Sequence, residues 1–142
     1  MADRRPPETR VRYPHVLAIP TRWMDNDVYG HVNNVVYYAY FDTIINKWLI
    51  EEGGLDPHAG DAIGLCVESR CSYLAPAAYP EELEAGMRTL HLGRSSVRYG
   101  VGVFRKDTLL AHGEFVHVFV TRAARTSTPI PEKIRAALEK LV

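Results

Sequence analysis

The pattern of hydrophobic and polar positions predicts a strand, a long helix, four more strands and a short closing helix. Residues 15–23 carry β-forming side chains on both faces, which predicts a largely covered first strand. Apolar side chains then recur at helical spacing beside a narrower polar stripe, and they are Tyr37, Tyr40, Phe41, Ile44, Ile45, Trp48 and Leu49. Because Gly53 and Gly54 can adopt the backbone of a C-terminal cap, we expect one mostly buried helix that ends there.

Four strand-like segments follow the helix, at residues 65–74, 82–92, 95–105 and 109–121. The short connections at Gly93-Arg94 and Lys106-Asp107 suit tight hairpins, so neighbouring strands should pair antiparallel. Gly100 and Gly102 share one face of a strand and would let a ligand or a second chain approach the backbone there.

The elements together predict a single α+β domain. Residues 134–142, which follow Pro129 and Pro131, form the closing amphipathic helix of this prediction. A helix that is apolar around most of its surface must be covered on more than one side, so we expect a sheet of about five strands to curl around it. The charged, proline-containing start predicts a flexible tail over residues 1–13, with the domain at residues 14–142.

Composition excludes several classes of protein. The formal net charge is +0, so the chain lacks the basic excess typical of nucleic-acid binding, and no nucleic-acid partner is expected. The chain has neither a secretory signal nor an apolar run of about 18 residues, so we expect a cytoplasmic protein without a membrane partner. Cys66 and Cys71 would face opposite sides of a strand, which favours two reduced thiols over a disulfide or a zinc site.

The segment that best fits chemistry is TRWMDNDVYGHVNN, residues 21–34, just before the long helix. Unpaired N–H groups and the positive end of the helix dipole at a helix start can polarise a carbonyl oxygen. A carboxylate held nearby, such as that of Asp27, can act as a nucleophile or as a general base on water. The structural alternative is that Asp27 only stabilises a turn or the helix start.

The motif R-W-x-D-x-D-x-x-G-H-V-N-N-x-x-Y, residues 22–37, resembles the 4-hydroxybenzoyl-CoA thioesterase branch of the hotdog-fold superfamily. The resemblance extends over nearly the whole chain after the tail. It implies an antiparallel sheet curled around a central helix, and hydrolysis of acyl-CoA thioesters at a subunit interface. It also implies a homodimer formed by joining two sheets, or a dimer of dimers, and no metal or other cofactor.

The resemblance also assigns roles to residues. Asp27 corresponds to the catalytic carboxylate, and Asn34 to the residue at the helix start whose backbone N–H contacts the thioester carbonyl. His31 belongs to one version of the motif, either as an acid/base or orienting group or as a structural residue. The remaining substrate-binding candidates are Asp25 as a supporting carboxylate, Asn33, Tyr37 in the acyl pocket, and Arg94, Ser95 and Ser96 in a turn that lies near the CoA phosphates in relatives.

Other functions remain as alternatives. Only Arg94 is basic in the candidate CoA turn, so a thioester of an acyl-carrier protein is an alternative substrate. A non-catalytic acyl-binding module of the same fold is a second alternative. A hotdog dehydratase ranks lower because its own His and Asp pattern is missing, and no G-x-S-x-G motif supports a serine hydrolase. We interpret Tyr40, Trp48 and the five other histidines as structural.

Overall fold

Five strands and two α-helices follow one another in the predicted order. The structure is a computed structural model and describes residues 9–142; residues 1–8 of the predicted tail lie outside the described residues. The elements are β1 (His15–Pro20), α1 (Val36–Glu51), β2 (Ala62–Tyr73), β3 (Glu82–Leu92), β4 (Ser96–Arg105), β5 (Thr108–Thr121) and α2 (Glu132–Glu139), with 3-10 turns at Arg10–Arg12 and Trp23–Asp25. Among the last four strands, the largest difference from prediction is three residues, at the start of β2 (62 against 65).

The strands form one antiparallel sheet in the order β1-β3-β4-β5-β2. Consecutive strands β3, β4 and β5 are hairpin neighbours, as the short turns predict. β1 and β2 lie at the two edges. The first strand is therefore less covered than predicted: Ile19 is its one buried residue, and the strand ends at Pro20 because the chain then turns into the 3-10 segment.

The core lies between α1 and the sheet. Phe41, Ile44 and Ile45 on α1 are fully buried, and burying each such side chain contributes about 1.5–3 kcal/mol to stability. Trp48 donates a 3.2 Å hydrogen bond from its indole to the carbonyl of Ala137, so α2 covers this end of the helix. The prediction of a hotdog fold is confirmed. Neither α-helix of the described chain is long and apolar enough to cross a membrane.

Tyr13 fills the space above the sheet glycines. A Cβ added at Gly86 would lie 2.7 Å from the Tyr13 ring, and one added at Gly102 would lie 3.0 Å from its hydroxyl. The Tyr13 ring also packs edge-on against Phe104, with 5.5 Å between ring centroids. The group that approaches Gly102 is thus a side chain of the same molecule. Tyr13 is therefore buried against the sheet.

A β-bulge changes the orientation of the two cysteines. β2 carries the bulge between Cys66 and Glu68, so that Cys66 pairs with His117 and Cys71 with Gly113. Because residues 113 and 117 point to the same side of β5, both cysteines share one face, and the opposite-face prediction was wrong. Four strand positions separate them by about 13 Å, beyond the reach of a disulfide. Both thiols are free, and burial raises the pKa of Cys71 to about 11.

Candidate active site

The buried carboxylate of Asp25 anchors the loop that precedes α1. It accepts hydrogen bonds from the backbone N–H of Arg22 (2.9 Å), from the Arg22 guanidinium (3.0 Å) and from the Tyr40 hydroxyl (2.7 Å). Burial by itself would raise the pKa of Asp25, but the bonds from Tyr40 and Arg22 outweigh it and hold the pKa below its ordinary value. Asp25 therefore stays charged and stabilises the loop from its buried side. Tyr40 belongs to the core, as predicted.

Asp27 begins a tight turn in this loop. Its backbone N–H donates to the carbonyl of His31 at 2.9 Å, and its carbonyl accepts the N–H of Gly30 at 3.0 Å. Gly30 has a φ of 82°, in the left-handed region that favours glycine. The turn sets the Asp27 side chain at the surface of a cleft, where it is half-buried.

The two carboxylate oxygens of Asp27 have different surroundings. Oδ1 accepts the backbone N–H of Tyr29 at 2.9 Å. This bond stabilises the turn, which is the role that Asp27 would have if it were a structural residue. Oδ2 accepts one longer hydrogen bond, 3.3 Å, from the side-chain amide of Asn33. Within residues 9–142, the ion pairs include none to Asp27. Oδ2 thus keeps the capacity to accept a further hydrogen bond or to attack a carbonyl carbon.

Asn33 links the carboxylate to the start of α1. Its Nδ2 donates to Asp27, while its Oδ1 accepts the backbone N–H of Val35 at 3.0 Å and its carbonyl accepts the N–H of Val36 at 2.9 Å. Both polar ends of this side chain, a predicted substrate contact, are engaged within the protein. Asn33 therefore also connects the loop that carries Asp27 to the start of α1 and fixes their relative position.

The backbone N–H of Asn34 stands out among its neighbours. The other N–H groups over residues 32–36 all donate to protein acceptors: Val32 to Ala77 O, Asn33 to Asp25 O, Val35 to Asn33 Oδ1 and Val36 to Asn33 O. Among the described residues, the Asn34 N–H has no acceptor. Asn34 is also exposed, at the end of α1 where the helix dipole is positive. This N–H is suited to bind the oxygen of a polarised carbonyl.

A cleft of about 460 Å³ brings the key candidates together. Asp27, His31, Asn34 and Tyr37 line one side of it, and residues 73–76, at the end of β2, line the other. Sequence reasoning missed this second wall because no motif marks it. In the sequence, residues 73–76 are marked only as the end of a predicted strand. The long-range pairing of β2 with β5 brings them beside the start of α1.

The predicted CoA turn lies at the other end of the sheet. Ser96, at the start of β4, pairs with Val118 on β5, whereas Tyr73 beside the cleft pairs with Ala111. Seven strand positions between residues 118 and 111 correspond to about 23 Å. Arg94, Ser95 and Ser96 therefore do not line the Asp27 cleft of their own chain. Sequence reasoning also missed Arg135 on α2, whose guanidinium donates at 2.6 Å to the carbonyl of Gly93 in this turn.

The histidines occupy different environments. The exposed His31 imidazole lines the cleft and has no hydrogen-bond partner among the described residues. His117 is buried, its Nδ1 lies 3.2 Å from the Tyr99 hydroxyl, and burial lowers its pKa. His15 packs against Trp48 with 4.6 Å between ring centroids. The described residues contain no group of three His, Cys, Asp or Glu side chains that could hold a metal ion.

Similar proteins share this arrangement of elements. The PA5185 protein of Pseudomonas aeruginosa strain PAO1 is 50% identical over 96% of each chain, with a TM-score of 0.93. The PA2801 protein of Pseudomonas aeruginosa, named as a candidate thioesterase, is 31% identical, with 92% of this chain and 98% of that chain covered and a TM-score of 0.81. A thioesterase of Thermus thermophilus, complexed with coenzyme A and zinc, is 28% identical over 91% of this chain and 94% of that one, with a TM-score of 0.74.

No curated protein matches the sequence. The family model of the thioesterase-like superfamily, however, matches residues 21–138, which include the Asp27 loop, α1 and the whole sheet after β1. The chain belongs to the thioesterase-like superfamily.

Proposed function

We propose that this protein hydrolyses an acyl-CoA thioester to a free acid and CoA in the cleft between the Asp27 loop and the end of β2. One observation carries the proposal: the same cleft is lined by Asp27, with its half-buried carboxylate, and by Asn34, whose backbone N–H at a helix start has no acceptor among the described residues. Acyl transfer needs these two groups, a nucleophile or base and a donor for the developing oxyanion. Membership of the thioesterase-like superfamily supports the thioester as the bond that is broken.

In the proposed reaction the thioester oxygen accepts the Asn34 N–H, which polarises the carbonyl carbon. Asp27 then either attacks that carbon through Oδ2, forming a mixed anhydride that water hydrolyses, or takes a proton from a water that attacks instead. In both routes the C–S bond breaks, the electron pair leaves with the CoA sulfur, and one water is consumed. In the base route the water oxygen enters the acid, whereas a water that opens the anhydride at the Asp27 carboxyl carbon enters Asp27 and leaves an Asp27 oxygen in the acid. Single-turnover hydrolysis in ¹⁸O-water that places the label in Asp27 identifies the anhydride route, whereas label in the free acid arises either from the base route or from an anhydride opened at its acyl carbon.

The wall of the cleft supports an acyl group as occupant. Tyr37 and Tyr73 pack edge to face with 5.2 Å between ring centroids, and Leu74, Ala75 and Pro76 continue the apolar surface. No Lys or Arg lines the cleft in the described chain, so the CoA phosphates need positive charge from elsewhere. Arg94 is the proposed source, with Arg135 holding its turn, and the separation of about 23 Å within one chain means that a second subunit would have to supply it.

We propose that β2 is the dimerisation edge. Among the described strands β2 pairs only with β5, and its residues 66–70 are exposed in the single chain. An edge strand with unpaired backbone groups is a template for pairing with another chain. Val67, at the bulge of this edge, is 60% exposed and would be covered by pairing with the β2 of a second copy. Two sheets joined in this way form the homodimer, and a dimer of dimers is the larger alternative.

Release of free thiol from a graded series of acyl-CoAs tests the function. We expect turnover of at least one chain length or aromatic acyl group by the wild-type protein. Binding of acyl-CoA without release of thiol from any member would favour the acyl-binding alternative and contradict hydrolysis. Faster turnover of acyl-carrier-protein thioesters than of the matching acyl-CoAs would identify the carrier protein as the substrate.

A further inference from the structure

The peptide group that joins Asn34 to Val35 is held at both ends by side chains. The Val35 N–H donates to the side chain of Asn33 at 3.0 Å, and the Asn34 carbonyl accepts the hydroxyl of Tyr73 at 2.7 Å. The N–H and the carbonyl lie at opposite edges of one planar peptide group, so the two bonds hold that group from both edges. Rotation of this plane would break at least one of them.

The backbone of Asn34 is held on its other side by the preceding peptide group, in which the Asn33 carbonyl accepts the Val36 N–H at 2.9 Å. The N–H of Tyr38, one turn later, donates to the carbonyl of Val35 rather than to that of Asn34. The Asn34 N–H has no acceptor among the described residues, and the Asn34 carbonyl is bonded by Tyr73. The residue is thus outside the helical hydrogen-bond ladder, and one side chain from β2 fixes its carbonyl.

Tyr73 is well suited to this task. Its ring is held against Tyr37, with 5.2 Å between centroids and 81° between planes, so the hydroxyl has a defined direction. Burial and the neighbouring Cys71 raise the pKa of Tyr73, so the phenol keeps its proton near neutral pH. The hydroxyl therefore remains a donor, as a carbonyl partner requires.

We propose that Tyr73 is a positioning residue for thioester hydrolysis. It fixes the peptide group after Asn34, while the Val36 N–H holds the peptide group that carries the Asn34 N–H, and the two bonds together set the backbone dihedrals of Asn34 and the direction of its N–H. The inference rests on the proposed function, and it adds a residue from the end of β2 to a site otherwise built by the loop before α1. A donor for an oxyanion accelerates the reaction only if it is already aimed, and misplacement by about 1 Å can cost about a hundredfold in rate.

Tyr73→Phe tests the inference, since it removes one oxygen and keeps the ring. We expect kcat for the best acyl-CoA to fall about tenfold or more, with KM within about twofold of wild type, because the lost alignment acts on the transition state. The matched control is Tyr79→Phe. Tyr79 is 41% exposed, does not line the cleft, and its hydroxyl makes no hydrogen bond among the described residues. The Tyr79→Phe protein should therefore retain the wild-type kcat.

Amide resonances provide the readout that a merely structural role would not give. In ¹H–¹⁵N spectra, Tyr73→Phe should shift or broaden the Asn34 and Val35 signals and leave most core signals in place. Tyr79→Phe should leave the Asn34 and Val35 signals unchanged. Unchanged kcat, or unchanged Asn34 and Val35 signals, in a folded Tyr73→Phe protein would overturn the inference while the proposed function stands. A wild-type protein that hydrolyses no thioester would instead overturn the proposed function, and this role with it.

Discussion

The side-chain amide of Asn33 donates a 3.3 Å hydrogen bond to Oδ2 of Asp27. The same amide accepts the Val35 N–H, so one residue connects the carboxylate to the helix start. The nucleophile or base and the oxyanion donor of the proposed reaction are therefore not independent. A change at Asn33 should affect both catalysis and the stability of the loop.

Asn33→Ala removes both of these bonds. We expect kcat/KM to fall about tenfold or more, and the free energy of unfolding to fall by about 1 kcal/mol, as for the loss of a helix-capping side chain. Thiol release and urea unfolding measure the two effects. Asn46→Ala is the control, because within the described chain the Asn46 side chain donates only to Asp42, on the polar side of α1. Wild-type activity in Asn33→Ala would show that the linkage is dispensable.

Tyr40→Phe leaves the buried Asp25 carboxylate without its 2.7 Å partner. We expect a loss of about 1.5–3 kcal/mol in the free energy of unfolding near pH 7, the usual range for a hydrogen bond to a charged group. Denaturant unfolding measures it. A loss below the error of the measurement would mean that Arg22 alone satisfies Asp25.

Acid should destabilise the wild-type protein through Asp25. The folded-state pKa of Asp25 lies below its ordinary value, so the unfolded chain binds this proton more readily. The contribution to stability is therefore complete above the unfolded pKa of about 3.9 and is lost as the pH falls through the folded pKa. Unfolding followed from pH 6 to pH 2 should show a shallower decline in Tyr40→Phe than in wild type, whereas parallel declines would exclude this role for Asp25.

Val67→Arg tests the proposed dimer edge. A charge at this exposed position of β2 should oppose pairing with a second β2 and shift the protein from dimer to monomer. Light scattering after gel filtration measures the mass, and thiol release should fall together with the dimer fraction. Val142→Arg, at an exposed position on the C-terminal residue, should change neither. A wild-type protein that is monomeric and fully active would contradict both the edge and the shared site.

Arg94→Gln tests the CoA turn separately from the chemistry. We expect KM for an acyl-CoA to rise several-fold and KM for the matching acyl-pantetheine, which lacks the nucleotide phosphates, to stay unchanged, with kcat preserved for both. Lys140→Gln is a control that removes an exposed charge elsewhere. Equal effects on the two substrates would place Arg94 outside phosphate binding.

Local sequence patterns predicted most of the fold. The helical spacing of apolar residues from Tyr37 to Leu49 and the paired glycines after Glu52 correspond to α1, which ends at Glu51, with Gly54 in the left-handed region. The hotdog fold and a thioester hydrolase of this superfamily are confirmed. These features depend on contacts within one element or on a contiguous motif, which a sequence displays directly.

The structure differs from the sequence predictions where segments that are distant in sequence come into contact. The bulge at Cys66 depends on pairing with β5, and Tyr13 reaches Gly86 and Gly102 across the sheet. The same holds for Tyr73, whose bond to Asn34 spans 39 positions in sequence. Periodicity carries no information about such pairings. The roles of Asp27, His31 and Asn34 remain predictions, supported by the geometry of their cleft.

The most direct test of the account is the rate of thiol release by Asp27→Asn, which replaces one oxygen by an amide nitrogen at nearly constant shape. Asp107→Asn, the same change in the exposed β4–β5 turn, is its control. We predict that kcat/KM for the best acyl-CoA falls on the order of a hundredfold or more in Asp27→Asn and stays at the wild-type value in Asp107→Asn. Near wild-type turnover by a folded Asp27→Asn protein would contradict the central role of Asp27.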